Sequence, residues 1–213
     1  AQSIASFLSE PVQVEEIYVY MQTNYGTSVT PFYTTLALWV GGIVLVALMK
    51  VKVDYEDDEF KDATEHQKYI GRALLFLAMG QLQALVVVLG DLYILKIDCT
   101  HPFMLWLAAA ITSFVFTLFI YTLVLTFGDL GKAIAVVMIV LQIAGSGGTY
   151  PIELLPEFFQ NVYLYFPFPY AINAMREAIS GLYQCDYAVF LVKLCAYAAV
   201  SYTHLRAHET VLD

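Results

Sequence analysis

The densest reactive chemistry in the chain is acidic. Asp54, Glu56, Asp57, Asp58 and Glu59, followed by Asp62 and Glu65, place seven of the nineteen acids within twelve residues, so the net charge of −9 is concentrated in one loop. Carboxylates at this density could ligate a hard cation, but a calcium loop needs a glycine to fold its ligands inward. None occurs before Gly71. The run therefore reads as a solvated, partly helical connector, and its charge suits contact with a cytosolic subunit. Gly128, Gly131 and Lys132 bear a superficial likeness to a phosphate loop, yet Thr126 stands where that motif needs glycine and Ala133 where it needs Ser or Thr. No HExxH or GxSxG is present, and His66 and His101 lie beyond opposite ends of an apolar stretch. No catalytic residue, cofactor or metal site is expected, and no nucleic-acid partner. Cys99, Cys185 and Cys195 lack CxxC spacing. Cys99 and Cys185 fall on the same predicted side and could pair, but unpaired thiols are favoured.

What remains is the chemistry of passage. An apolar run breaks at Gly145-Ser146-Gly147-Gly148 and resumes as short pieces bounded by Pro151, Pro156, Pro167 and Pro169. Broken or re-entrant elements of membrane transporters are built this way. Gly145, Gly147, Gly148, Pro151, Pro156 and Pro167, with Arg176 beyond them, are the candidate gate. After it, Ile172, Met175, Ile179 and Leu182 recur at helical spacing opposite Asn173, Arg176, Glu177 and Ser180. That pattern predicts an amphipathic helix over residues 170–182, lying at the outer interface.

These residues need a bilayer-spanning scaffold, and the composition supplies one. The chain of 213 residues is 60% hydrophobic and 14% charged, with mean hydropathy +0.67, well above a soluble domain's apolar content. A crossing takes about 20 apolar residues. Residues 31–49, 70–95 and 102–127 meet that length, residues 133–148 form a short fourth span that opens into the break, and 187–200 form an incomplete fifth. The predicted fold is an all-α, polytopic transmembrane helix bundle of four to five spans, with a broken fourth span and an outer amphipathic helical hairpin. Gln81 and Gln83 lie two apart in the second span and cannot share a face, so at least one should bond a neighbouring helix. Gln142 lies in the fourth. Asp91, near the end of the second span, reads as a hydrated carboxylate without a function. Gly41, Gly42, Gly80 and Gly90 read as points of close helix approach.

Cations mark the cytoplasmic side. Lys50, Lys52, Lys61, Lys68 and Arg72 lie in or beside the first loop, whereas residues 96–101 hold Lys96 alone. The protein is thus expected in the cell membrane as a multi-pass protein, with loop 50–69 cytoplasmic. Residues 1–30 are expected outside as the end of an extracellular domain, residues 31–200 as the membrane domain. The opening at Ala1 suggests that further chain precedes it. Residues 201–213, SYTHLRAHETVLD, resemble a translated sequencing adapter and are expected to be non-native.

The wording GSGGTYPIELLPEFFQ, then YFPFPYAINAMREAISG, with NYGTSVTPFYTTLALWVGG at the first span, resembles the carboxy-terminal membrane region of the phage infection protein (YhgE/Pip) family. The break, with Pro151, Pro156, Pro167, Tyr170 and Arg176, is similar to the outer-loop signature of type-2 ABC exporter permeases. That resemblance implies a Gram-positive plasma-membrane protein that acts as a permease-like subunit of an exporter, with a separate ABC ATPase and a homodimeric bundle. The acidic loop, Asp54 to Glu59, is then the candidate coupling contact. It also implies the alternative of a membrane-anchored surface protein serving as a phage receptor or a secretion-system scaffold.

Overall fold

The computed structural model describes residues 24–51 and 65–212. The acidic cluster at Asp54, Glu56, Asp57, Asp58 and Glu59 lies outside the described residues, as does most of the expected extracellular segment. Among the described residues there is no strand. The chain forms α1 (Tyr25–Leu48), α2 (Glu65–Leu89) with a π-helical end at Gly90–Ile94, α3 (Pro102–Phe127), α4 (Asp129–Gly145), α5 (Glu157–Val162), α6 (Phe168–Ser180) and α7 (Asp186–Leu212). The protein is an all-α transmembrane bundle. Among the described residues, three helices are long and apolar enough to cross a bilayer, Tyr25–Leu48, Ile70–Ile94 and Pro102–Phe127.

Helix α1 begins ahead of the expected span because Asn24 caps it, its side-chain oxygen accepting from the Thr27 amide at 2.8 Å. Pro31 therefore sits inside the helix. Helix α3 is the centre of the bundle and packs against α1, α2, α4, α6 and α7. Its sequence explains that position. Ala108, Ala109, Thr112, Ser113 and Thr117 are buried, and small side chains let neighbouring backbones approach in a medium where tight packing, rather than water exclusion, drives association.

Both glutamines of the second span bond other helices, in different directions. Gln81 Nε2 donates to the Ala110 carbonyl of α3 at 3.0 Å, and Gln83 Nε2 to the Ala37 carbonyl of α1 at 2.9 Å. The glycines facing them are required by contact. A Cβ on Gly41 would enter the Gln83 amide, and one on Gly80 would lie 2.7 Å from Thr117 Oγ1. Gly90 differs from expectation, since nothing lies within 4 Å of its Cβ position; it opens the π-helical turn instead.

Trp39 joins four helices. Its fully buried indole meets Phe116 of α3 edge-on at 4.9 Å and Phe168 of α6 at 5.6 Å. Its Nε1 donates to the Ala135 carbonyl of α4 at 3.2 Å. Replacing Trp39 by Phe keeps an aromatic ring but deletes the N–H and part of the volume, and should cost about 1–3 kcal/mol. A lowered thermal midpoint in detergent, with unchanged membrane insertion, is the expected result.

Candidate functional site

Helix α4 has 17 residues against 26 for α3, about 25 Å against about 39 Å at the α-helical rise. It stops in the glycine cluster, and each glycine of that cluster also seats an aromatic ring. A Cβ on Gly145 would lie 2.7 Å from Cδ1 of Phe159 in α5. At Gly147 the backbone takes φ +65°, and Tyr163 stands 3.4 Å from its Cβ position. A Cβ on Gly148 would collide with the ring of Phe32 in α1.

The prolines then punctuate the return. Pro151 precedes a 3-10 turn, Ile152–Leu154, and Pro156 precedes α5. Gln160 Nε2 ties the two pieces together by donating to the Leu155 carbonyl at 2.8 Å. Pro167 precedes α6, where the fixed φ of proline suits a helix start.

Helix α6 is a half-spanning element inside the bundle. At its first turn Phe168 is fully buried, stacked on Phe116 at 5.4 Å, with its amide donating to Gln142 Oε1 at 3.4 Å. At its far end the Ile179 and Ala178 carbonyls accept from the Thr100 and His101 amides, each at 3.0 Å. The helix thus runs from the middle of α3 to the end of the bundle where α2 and α3 connect. The expectation of an interfacial helix is corrected. Ala171, Ala174 and Ala178 are all buried, so α1, α3 and α7 close around the helix where lipid was expected.

The supposed polar face is accordingly covered. Glu177 is fully buried and accepts from the Tyr183 amide at 2.6 Å, across the turn into α7. Arg176 is half-buried and donates to Asn173 Oδ1 at 2.9 Å. Asn173 in turn donates to the Tyr163 hydroxyl at 3.5 Å, and Tyr163 covers Gly147. The structure thereby connects Arg176 to the glycine break through two side chains.

Sequence reasoning missed Asp91. It is 6% exposed, not hydrated, and its Oδ2 accepts from Thr34 Oγ1 of α1 at 2.6 Å. A carboxylate within an apolar span was the available signal, because such groups are retained at a cost. The cysteines are free. Cys99 lies against the Ala178 carbonyl at 3.6 Å, and burial pushes its thiol pKa up, which disfavours the thiolate.

A tightly packed bundle with one broken helix and one half-helix invites comparison with transporter membrane domains. Residues 62–203 match the family model of the ABC-2 family transporter protein. The chain belongs to this family. It is also 31% identical over 173 residues to "Uncharacterized protein YhgE" of Bacillus subtilis (strain 168), a match that covers 81% of this chain and 22% of the relative. Most of that relative's length therefore lies outside the match. No solved structure gives a match.

Two outcomes follow for this ABC-2 membrane domain. Gly148→Ala should cost about 1–3 kcal/mol through overpacking, and Phe32→Leu in the same chain should recover part of the loss in a double-mutant thermal assay. Thr34→Val, which keeps the shape but removes the donor to a buried carboxylate, should cost about 1–3 kcal/mol. In an Asp91→Asn background the same change should cost less.

Proposed function

We propose that this ABC-2 family membrane domain is the permease part of an exporter that moves its cargo across the plasma membrane with energy from a separate ATPase, and that the broken helix is its outer gate. One observation carries the reading. Helix α4 ends at Gly145 and the first turn of α6 meets it in the middle of the bundle, with Phe168 against Gln142. Discontinuous helices of this kind are where transporters place the parts that move.

The cation bias supports an orientation with loop 50–69 in the cytoplasm. There the acidic run, Asp54, Glu56, Asp57, Asp58 and Glu59, is the contact for the ATPase. Residues 1–30 and the gate are then extracellular, and two copies of the domain form the working bundle. The alternative of an anchor for a surface receptor or secretion scaffold, serving phage or secretion components, requires no movement at the break.

A cross-link separates these readings. The Cβ position of Gly148 lies 3.0 Å from Phe32 Cβ, near the spacing that a disulfide bridges. In a full-length protein with Cys99, Cys185 and Cys195 replaced by Ser, Phe32→Cys with Gly148→Cys should form a bond under oxidation. Oxidation should then suppress transport-coupled ATP hydrolysis by the reconstituted complex at least about tenfold, a barrier change of about 1.4 kcal/mol, with recovery on reduction. Unchanged hydrolysis in the cross-linked protein would sink the gate, and failure to capture a Walker-motif ATPase with the wild-type protein would favour the anchor.

A further inference from the structure

Gln142 and Ser146 stand one helical turn apart at the end of α4. Gln142 is fully buried and Ser146 is 2% exposed. Gln142 Oε1 is engaged by the Phe168 amide, but Gln142 Nε2 and Ser146 Oγ have no protein partner. Two buried polar groups with no protein partner, one turn apart at the break, each call for one, because such groups in native interiors nearly always have a partner.

We infer that Gln142 and Ser146 form an internal seat for one uncharged oxygen ligand, a water molecule, at the junction of α4 with the first turn of α6. Size supports this. Side chains four residues apart on a helix are neighbours on one face, and one water, with hydrogen bonds of about 2.8 Å, can bridge two such groups. Close neighbours bound the site: the Phe159 ring packs against Gly145, and the Phe168 backbone amide meets Gln142.

Chemistry supports it too. Gln142 Nε2 is a donor, the Ser146 hydroxyl both donates and accepts, and the last carbonyls of α4 lack partners within their own helix. Water satisfies all three types at once. A charged ligand would need a counter-charge that Gln142, Ser146 and the rings do not provide. The seat does not depend on the export reading.

The test combines a sign with a label, on the full-length protein in lipid nanodiscs. A water-bridged Ser146 helps hold the junction, so Ser146→Ala should lower the thermal midpoint by about 2 °C or more. In a Gln142→Leu background, where the water is already lost, the same change should no longer lower the midpoint. X-ray radiolytic labelling should modify the fully buried Phe168 ring rapidly in the wild type and several-fold more slowly in Ser146→Ala, a variant that keeps the Gln142 bond to Phe168. A midpoint raised by Ser146→Ala in both backgrounds would mean a bare hydroxyl and would overturn the inference. Coupled midpoints without the labelling would also overturn it, by showing a direct bond between the two side chains.

Discussion

Everything in this bundle hangs on the indole of Trp39 finding a carbonyl. Within hydrocarbon an N–H has no water to fall back on, so Trp39 fixes the distance between α1 and the Ala135 turn of α4. Its faces and edge then fix Phe116 and Phe168. The stack of Phe168 on Phe116 sets how deeply α6 enters. One polar atom thereby helps to set the depth of the first turn of the half-helix.

The same constraint governs the rest of the interior. Helices gain little from leaving lipid for one another, so specificity is written in small residues and directed donors. Gln81 and Gln83 reach carbonyls of opposite neighbours, Ser113 donates to the Gly80 carbonyl at 2.7 Å, and Tyr187 of α7 to the Met104 carbonyl of α3 at 2.7 Å. Each fixes a pair of helices in register. The Asp91 and Thr34 bond belongs to this group by geometry, but it places an ionisable atom in the seam, and it does so from a π-helical turn. Such turns interrupt a regular helix at a cost and are frequent at functional sites.

Punctuation was legible in the sequence, whereas coverage was not. Gly145, Gly147 and Gly148 with Pro151, Pro156 and Pro167 identify the break because glycine and proline act through their own backbones, independent of neighbours. That at least one glutamine bonds a neighbour was expected from its cost in a span; that both do is a finding of the structure. The burial of α6 was not, since periodicity reveals that a helix has an apolar face without saying whether lipid or protein meets it. The buried alanines at 171, 174 and 178 decide the matter by letting three helices approach. Asp91 was misread for a related reason: position near a span end suggests hydration, while burial depends on Thr34, 57 residues away.

The two ends of α6 are held unequally, and this bears on how the element can move. At the end of the bundle the half-helix receives the Thr100 and His101 amides and the Thr100 hydroxyl, all at 3.0 Å, and Glu177 holds the start of the next turn. In mid-bundle it is held by ring contacts, by one long bond of 3.4 Å to Gln142, and by the Tyr170 hydroxyl, which donates to the Leu164 carbonyl of the preceding turn at 2.7 Å. Ring contacts slide at little cost, whereas breaking short bonds in a water-poor interior leaves unpaired groups. A displacement of α6 that keeps its short bonds would therefore carry the Leu164 turn with it, pivot about the Thr100 end and part from α4 at Phe168. That is the place where the glycine-seated rings of Phe32, Phe159 and Tyr163 close over the break.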